Sequence, residues 1–416
     1  MSKYDKASLV QIPSGYKANK LYSVLPVNGD GDFTFARTST GTRVNKDGYI
    51  ETVATGEPRL DYPLIDGVVQ DCPALLLEPS RSNLVPYSEA FDEPDWVKNS
   101  STVTSNQVIS PDGTLNADLL ETSVAGGGVA DAISGSGDYS FSVFAKYKDI
   151  QFIRLRSTNS YAWFDIKNGS VGTTISALDA KIEYYGNGWY RCTLVGNNTN
   201  TIFQITCTEQ NSLNVGFGGV YLWGAQLEEG SYPTSYIPTA GSAVTRSAET
   251  CNSAGNASTF NDSEGVLYAE IAALAGDDFS TSRRIGITKN GTYEGVRIQL
   301  GDNNISATVY DGTTNQYSKS ISYNNETPNK IALKYKENDF SVWINGIEYE
   351  PQSSGSTFVD GTLNDLSFNY VGGAHFYGKA KEIATFKEAL TDSELEALTS
   401  WDSFNDMAKE QLYTIE

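Results

Sequence analysis

The sequence predicts an all-β protein built from two antiparallel β-sandwiches, with a hairpin-rich arm before them and a short helix after them. Runs of alternating apolar and polar residues recur at the short spacing of antiparallel strands, and turns containing Gly or Asn separate the runs. The composition agrees, because 25 Tyr stand against 2 Met and the 38 Gly residues supply turn positions.

Residues 1–92 are expected to form an N-terminal arm or attachment region. Turn signals such as Asn28-Gly29-Asp30 and Asp66-Gly67 are dense there, and prolines bracket the apolar run at residues 74–77. These features favour hairpins and extended chain over an independent compact domain.

The first sandwich is expected over residues 93–250 and the second over residues 263–390, with a polar boundary near residues 247–262. In the first, alternating runs are found at residues 139–146, 152–156, 161–166, 189–195, 201–207 and 220–227. In the second, they are found at residues 265–271, 284–288, 295–300, 305–310, 330–335, 340–345 and 365–371.

A helical tail is expected over residues 391–416. Thr391 and Glu394 have the spacing of a capping box, and Leu395 and Leu398 then recur at helical spacing.

Charge and residue counts exclude several function classes. The 30 Lys and Arg against 51 Asp and Glu give a net charge of −21, which disfavours nucleic acid as a partner. The only histidine, His375, excludes a site with two imidazole ligands, and the four cysteines never reach the CxxC spacing. We therefore expect buried cysteines and no required cofactor. The sequence has neither a signal-like N-terminus nor an apolar run of membrane-helix length, so we expect cytoplasmic synthesis and no membrane insertion.

Several phrases resemble a known family. Phe35-Ala36-Arg37, the stretch 42–51, Arg59-Leu60-Asp61-Tyr62 and the stretch 75–84 look like the opening of virion appendage proteins of tailed bacteriophages. The phrases at 188–191, 223–228 and 236–239 resemble the carbohydrate-binding-module-like jelly roll of the same proteins. This resemblance implies a tail-fibre or head-fibre component, homo-oligomeric with a trimer favoured, made in the host cytoplasm and displayed on the virion.

The second sandwich resembles a laminin-G or concanavalin-like jelly roll. The resemblance lies chiefly in Val342-Trp343-Ile344-Asn345-Gly346, a strand that ends in an Asn-Gly turn.

Outward-facing aromatic side chains are the candidates for glycan binding, because they can stack on a sugar ring. At residues 161–166, alternation places Phe164 and Ile166 on one face and Tyr161, Trp163 and Asp165 on the other. If the apolar pair faces the core, Trp163 is free to stack, whereas a sheet edge or a subunit interface would cover it.

A second candidate platform is Trp343, which lies opposite the core residues Phe340, Val342 and Ile344 of its strand. Tyr335 or Tyr293 would lie near Trp343 if those strands pair. Ligand binding and packing against a neighbour are both open for this platform.

Asp112, Asn116 and Asp118 offer oxygen ligands suited to calcium, although none has the EF-hand spacing. We do not expect an enzyme. The Glu-x-Asp-x-x-Glu pattern of concanavalin-like glucanases is absent, which leaves a glycan-cleaving depolymerase only through carboxylates brought together from separate strands.

Two functions therefore compete. One is adhesion to host or environmental polysaccharide, and the other is a purely structural decoration or adaptor without sugar binding. Four arginines in the arm are candidates for attachment to other virion proteins: Arg37, Arg43, Arg59 and Arg81. On this hypothesis, deleting residues 1–60 leaves soluble sandwiches that no longer enter particles.

Overall fold

The structure is a computed structural model that describes residues 4–124, 126–199, 202–208, 218–370 and 374–403. The predicted fold class is confirmed, because these residues form antiparallel sheets packed as sandwiches and one short helix. The predicted tail beyond residue 403 lies outside the described residues.

The strands before the first sandwich are short, and they are β1 (Ala7–Gln11), β2 (Tyr16–Lys17), β3 (Lys20–Leu21), β4 (Phe33–Ala36), β5 (Gly41–Val44), β6 (Ile50–Val53), β7 (Arg59–Asp61), β8 (Leu64–Ile65), β9 (Val68–Val69), β10 (Ala74–Leu77) and β11 (Arg81–Asn83). The strands of the first sandwich are β12 (Val97–Asn99), β13 (Ser101–Ile109), β14 (Leu115–Thr122), β15 (Gly128–Ala132), β16 (Ser136–Tyr147), β17 (Phe152–Ser157), β18 (Ser160–Asp165), β19 (Ser170–Ile175), β20 (Asp179–Tyr184), β21 (Trp189–Thr199), β22 (Ile202–Thr208) and β23 (Gly218–Glu229).

Two connecting strands follow, β24 (Val244–Arg246) and β25 (Thr250–Asn252). The second sandwich and the helix contain β26 (Glu264–Ala273), β27 (Arg283–Thr288), β28 (Gly295–Gly301), β29 (Asn304–Tyr310), β30 (Asn315–Ser322), β31 (Asn329–Lys336), β32 (Phe340–Ile344), β33 (Ile347–Gln352), β34 (Asp365–Ser367), β35 (Asn369–Tyr370), β36 (Ala374–His375), β37 (Gly378–Phe386) and α1 (Asp392–Thr399).

The first sandwich stacks two antiparallel sheets. Over the described residues, their strand orders are β12-β15-β22-β17-β18-β19 and β13-β14-β23-β16-β21-β20. Phe141, Ile153 and Phe164 lie in the core between them, each without exposed surface. The inward position of Phe164 and Ile166 agrees with the alternation in the sequence.

The second sandwich includes strands from the N-terminal region. Its smaller sheet has the order β30-β29-β28-β27-β34, and its larger sheet has the order β33-β32-β31-β26-β37-β10-β7, with β1 also paired to β37. Leu9, Phe33, Phe35 and Leu75 are fully buried in its core. Residues 1–60 therefore supply part of this core, and their deletion would open it rather than leave two intact sandwiches.

Helix α1 covers the outer face of the larger sheet. The predicted capping box is present, since the Thr391 hydroxyl accepts from the backbone of Glu394 and the Glu394 carboxylate accepts from Thr391 N. Leu395 and Leu398 are buried against this face. In the part of the chain that the structure describes, no helix has the length and apolarity needed to cross a bilayer.

A buried ion network joins the N-terminal region to the segment between the sandwiches. The Glu249 carboxylate accepts from Arg37 (Nη1 to Oε1, 2.7 Å) and from Arg59 (Nε to Oε1, 2.8 Å). The Glu78 carboxylate lies 2.7 Å from Arg59 and 2.8 Å from Arg246. Because these charges are taken out of water together, each depends on its partners.

Three cysteines, Cys192, Cys207 and Cys251, are buried as expected. Cys72 is exposed, because it lies in the loop before β10 rather than inside a strand.

Candidate functional site

A cleft of about 720 Å³ lies where the N-terminal region and the two sandwiches meet. The first sandwich supplies its floor through β20 and β21, and the N-terminal region supplies one wall through residues 61–66. The second sandwich contributes Leu274, Ala275 and Lys379. The cleft therefore exists only when three distant parts of the chain pack together.

The floor is the outer face of β16, β20 and β21. Register pairs Lys181 with Thr193 and Glu183 with Arg191, and directly opposed residues of an antiparallel pair share a face. The alternate residues, such as Cys192, point into the sandwich core. Strand alternation thus places two cations, a carboxylate and a hydroxyl along the cleft.

Arg191 is the central cation of the floor. Its Nη2 donates to Ser142 Oγ (3.1 Å) and to the carbonyl of Thr234 (2.8 Å), and the guanidinium lies 5.6 Å from the centre of the Phe144 ring. Among the described residues, its Nε and the Thr193 hydroxyl have no hydrogen-bond partner although both are buried. Unsatisfied buried polar groups beside a cavity are groups that a ligand can satisfy.

The Tyr185 side chain lies among the charges of the cleft. Burial raises its pKa to about 12, and Glu183 adds to that increase while Arg191 opposes it. Nearby, Lys379 Nζ pairs with Asp61 Oδ2 at 3.1 Å, and this carboxylate is the largest cause of the raised pKa of Lys379. Because its pKa is raised, the Tyr185 phenol stays protonated at neutral pH and is available as a hydrogen-bond donor.

The hairpin β8–β9 forms part of the wall and leans on the first sandwich. Gly67, at its turn, has φ +73°, and a Cβ there would lie 2.5 Å from the ring of Tyr184. Tyr184 in turn packs against Tyr190, with ring centroids 4.9 Å apart. Glycine is required at this turn for its backbone angle and for its close contact with the tyrosine.

The cleft combines aromatic rings with donors and acceptors of both charges. Tyr62, Tyr184 and Tyr185 line it beside Lys181 and Glu183. Rings that pack on the apolar faces of a sugar, with polar groups that reach its hydroxyls, are what a saccharide site requires.

Each residue expected to bind calcium already has hydrogen-bond partners within the chain. Asn116 Nδ2 lies 3.2 Å from Asp112 Oδ2, but Asp112 also accepts from Ser110 and Thr114. Asp118 instead accepts from the backbone of Phe91 and Asn106. In the described ranges, no group of three or more His, Cys, Asp or Glu is arranged to hold a metal ion.

The first predicted glycan platform, formed by Tyr161 and Trp163, is present on β18, but its tryptophan ring is covered. Tyr161 and Trp163 share the outer face of β18, with ring centroids 6.4 Å apart, yet Trp163 is only 5% exposed. The Arg154 guanidinium lies 5.6 Å from the centre of the Trp163 ring. The Asp165 carboxylate accepts from Gln151 and Asn168. An arginine therefore occupies the stacking position expected for a sugar.

The second predicted platform is not assembled. Trp343 is 6% exposed because it packs in the cluster with Leu395 and Leu398 of α1, and its Nε1 donates to Ser341 Oγ at 3.2 Å. Tyr293 is exposed in the turn between β27 and β28 of the smaller sheet. The helix over the larger sheet thus takes the place of a ligand at Trp343.

The four arginines expected to attach the arm to a partner are engaged within the chain. Arg37 and Arg59 are buried in the ion network. Arg43 pairs with Glu51 at 2.7 Å and also lines the cleft, and the Arg81 guanidinium lies 5.1 Å from the centre of the Tyr232 ring. These contacts order the N-terminal region against its own sandwiches.

Of the residues that line the cleft, only Arg43 was among the site candidates chosen from the sequence. The alternation of Lys181 and Glu183 with the core residue Ile182 was a readable signal for a polar outer face. That this face lies opposite Asp61 and Lys379 depends on packing between distant segments.

No protein-family model and no curated protein matches the sequence. Among solved structures, the Ruminococcus gnavus IT-sialidase CBM40 is 15% identical over 36% of this chain and 94% of its own, with a TM-score of 0.29. The same domain bound to alpha2,3 sialyllactose is 14% identical with the same coverage and a TM-score of 0.30. The binding domain of botulinum neurotoxin serotype G is 16% identical over 36% of this chain and 39% of that one, with a TM-score of 0.26. At this distance, the fold and the site are defined by the chain's own residues.

Proposed function

We propose that this chain is a glycan-binding protein and that the junction cleft is its binding site. The observation that carries the proposal is the convergence of tyrosine rings with Arg191, Glu183 and the Asp61–Lys379 pair in a cavity of about 720 Å³. This volume lies within the range of about 300–1,000 Å³ that small-ligand pockets occupy.

The proposed binding mode follows from the donors on the floor. The Arg191 guanidinium donates and the Glu183 carboxylate accepts, and the two residues are directly opposed across β20 and β21. Neighbouring hydroxyls of a sugar ring can satisfy one donor and one acceptor at this spacing. Tyr185 and Thr193 would supply further hydrogen bonds from the same floor.

We further propose that the chain acts on a virion, as a tail-fibre or head-fibre component of a tailed phage. The support is the resemblance of the stretches 42–51 and 75–84 to the opening of such appendages. A weak site gains apparent affinity when several copies are displayed together, so a trimer would suit adhesion. The role we propose is binding without cleavage of the glycan.

A glycan array tests the binding proposal. The parent chain should bind a defined set of saccharides, and Arg191→Gln and Tyr185→Phe should each weaken that binding about tenfold, the loss expected for one or two hydrogen bonds. Tyr293→Ala is the matched control, because this exposed tyrosine lies outside the cleft.

Three results would decide against parts of the proposal. Binding that Tyr293→Ala abolishes and Arg191→Gln leaves intact would move the site away from the cleft. No binding on the array, together with normal incorporation into particles, would favour the purely structural role. Release of shortened saccharide from a bound polymer would contradict the proposed absence of cleavage.

A further inference from the structure

The buried arginines of this chain fall into two groups. Among the described residues, six arginines are more than nine-tenths buried: Arg37, Arg59, Arg154, Arg191, Arg246 and Arg283. Four of them lie within 4 Å of a carboxylate. Of the other two, Arg191 faces the cleft. Arg154 lies outside the cleft and, in the described part of the chain, has no carboxylate within 4 Å. A buried charge without a counter-charge is costly and needs compensation.

The compensation for Arg154 is partial. Its guanidinium lies 5.3 Å from the Tyr161 ring centre and 5.6 Å from that of Trp163, which are cation–π distances. Nη2 reaches Thr206 Oγ1 at 3.1 Å and Gln204 Oε1 at 3.4 Å. Arg154 Nε and Trp163 Nε1 find no acceptor among the described residues. Two buried donors and a positive charge thus remain unsatisfied at one place.

A second arginine lies next to this place. Across β17 and β18, Arg154 is opposed to Trp163 and Arg156 to Tyr161, so all four side chains share one face of the sheet. Arg156 is half-buried and lies 5.5 Å from the Tyr161 ring centre, with its Nε donating to the carbonyl of Thr158. We call these four residues, Arg154, Arg156, Tyr161 and Trp163, the arginine ladder.

The Asp165 carboxylate, on the same face of β18, is engaged by other donors. Asp165 lies on the outer face of β18, where it accepts from Gln151, Asn168 and the backbone of Lys167. Desolvation lowers the pKa of Arg154, and Arg156 lowers it further, while Tyr161 opposes the effect. Two adjacent guanidinium groups with no carboxylate within 4 Å among the described residues are unusual in a chain of net charge −21.

We propose that the arginine ladder binds the carboxylate of an acidic saccharide. Guanidinium groups match a carboxylate in charge and in paired geometry. The Tyr161 ring, 5.3 Å from Arg154 and 5.5 Å from Arg156, holds the two cations on one face. The site lies on the sheet that contains β17 and β18, whereas the floor of the cleft belongs to the other sheet of the same sandwich. It is therefore independent of the cleft.

Isothermal titration with oligogalacturonate tests the proposal, with the methyl ester of the same oligosaccharide as the uncharged control. The parent should bind the acid and bind its ester at least tenfold more weakly, and raising the salt concentration should weaken acid binding. Arg154→Gln and Arg156→Gln should each weaken acid binding about tenfold. Arg297→Gln removes another arginine near a tyrosine, 5.9 Å from the Tyr310 ring centre, and should leave acid binding unchanged.

Further variants and competitors in the same titration distinguish the competing explanations. If Arg154→Gln does not fold, the half-buried Arg156 provides the decisive variant. Equal binding of acid and ester, or acid binding that Arg156→Gln leaves intact in a folded protein, would overturn the proposal and make the ladder a packing feature. If Arg191→Gln abolishes acid binding instead, the acid binds in the cleft and the proposal for the ladder fails. If an equal concentration of inorganic phosphate displaces the acid, the assignment to a carboxylate is overturned.

Discussion

Asp61 and Lys379 lie 3.1 Å apart at the place where three parts of the chain meet. Asp61 belongs to the N-terminal region and Lys379 to a strand of the second sandwich, and both line the cleft above the floor of the first sandwich. Asp61 also accepts from the backbone of Val44 at 2.9 Å. The pair thus links the wall of the cleft to the sheet behind it, so the packing of the N-terminal region and the shape of the site are coupled.

The Asp61–Lys379 pair should contribute to binding with a limited effect on stability. Its lysine side chain is 39% exposed and its aspartate side chain 10%, so solvent screens the pair in part, and Asp61→Asn and Lys379→Gln should each lower the free energy of unfolding by about 1–2 kcal/mol. Each should weaken saccharide binding in the cleft several-fold, because the wall loses a fixed position. Thermal unfolding and titration of the two variants and of the double variant check this. A double variant whose binding loss equals the sum of the single losses would contradict the coupling.

By contrast, the buried ion network of Arg37, Arg59, Glu78, Arg246 and Glu249 should contribute strongly to stability. Arg59→Met leaves Glu249 and Glu78 buried with fewer partners, so we expect a loss of about 3–5 kcal/mol in the free energy of unfolding. Lys336→Met is the matched control, because its pair with Glu264 is solvent-exposed and should contribute little to stability. Urea unfolding of both variants measures the two losses. Similar losses would show that the buried network has no special role.

Acid should destabilise the chain through Glu78. Burial alone would raise the pKa of this carboxyl group, but Arg246 and Arg59 hold the pKa well below its usual value. A carboxyl group with a lowered pKa in the folded state stabilises the fold above the unfolded pKa of about 4.3, and this stabilisation is lost as the pH falls toward the folded pKa. The unfolding free energy should therefore decrease below about pH 4.5.

The matched variant for the pH dependence is Glu78→Gln. It should be less stable than the parent at pH 7 and should show a smaller decrease between about pH 4.5 and pH 2, since one linked proton is absent. Urea unfolding across this pH range provides the comparison. If the free energy of unfolding of Glu78→Gln decreases with falling pH as steeply as that of the parent, other carboxyl groups govern the acid response.

The turn at Gly67 should control the wall of the cleft. Gly67 and Gly291 have the same φ of +73°, so an alanine should cost each turn a similar amount, about 1 kcal/mol. A Cβ at Gly67 would also meet the Tyr184 ring at 2.5 Å, whereas nothing lies within 4 Å at Gly291. Gly67→Ala should therefore weaken cleft binding several-fold and Gly291→Ala should not. Titration of both variants, alongside their melting temperatures, separates the contact from the backbone strain.

The strands at the alternating runs, such as β16 and β18, were predictable because each of these runs carries its own signal in the sequence. Phe141 lies between Ser140 and Ser142, and the turns between strands contain Gly or Asn. The capping box at Thr391 is equally local. The pairing of β1 and β10 with β37 of the second sandwich was not predictable in this way, because it joins residues more than 300 positions apart.

The candidate sites show the same division. Alternation placed Trp163 and Trp343 on outer faces, which is where they lie, but it could not reveal that Arg154 covers one and helix α1 the other. The role of Arg59 depends on Glu249, which lies 190 positions away. Burial is a property of the assembled chain, so exposed aromatic rings cannot be chosen from local pattern alone.

Hydrogen–deuterium exchange with and without an uncharged saccharide found on the array tests the central claim most directly. If the junction cleft is the binding site, protection should increase in residues 59–69 and 179–193, and residues 340–352 should be unaffected. Protection confined to residues 340–352, or no change at saturating saccharide, would contradict the account.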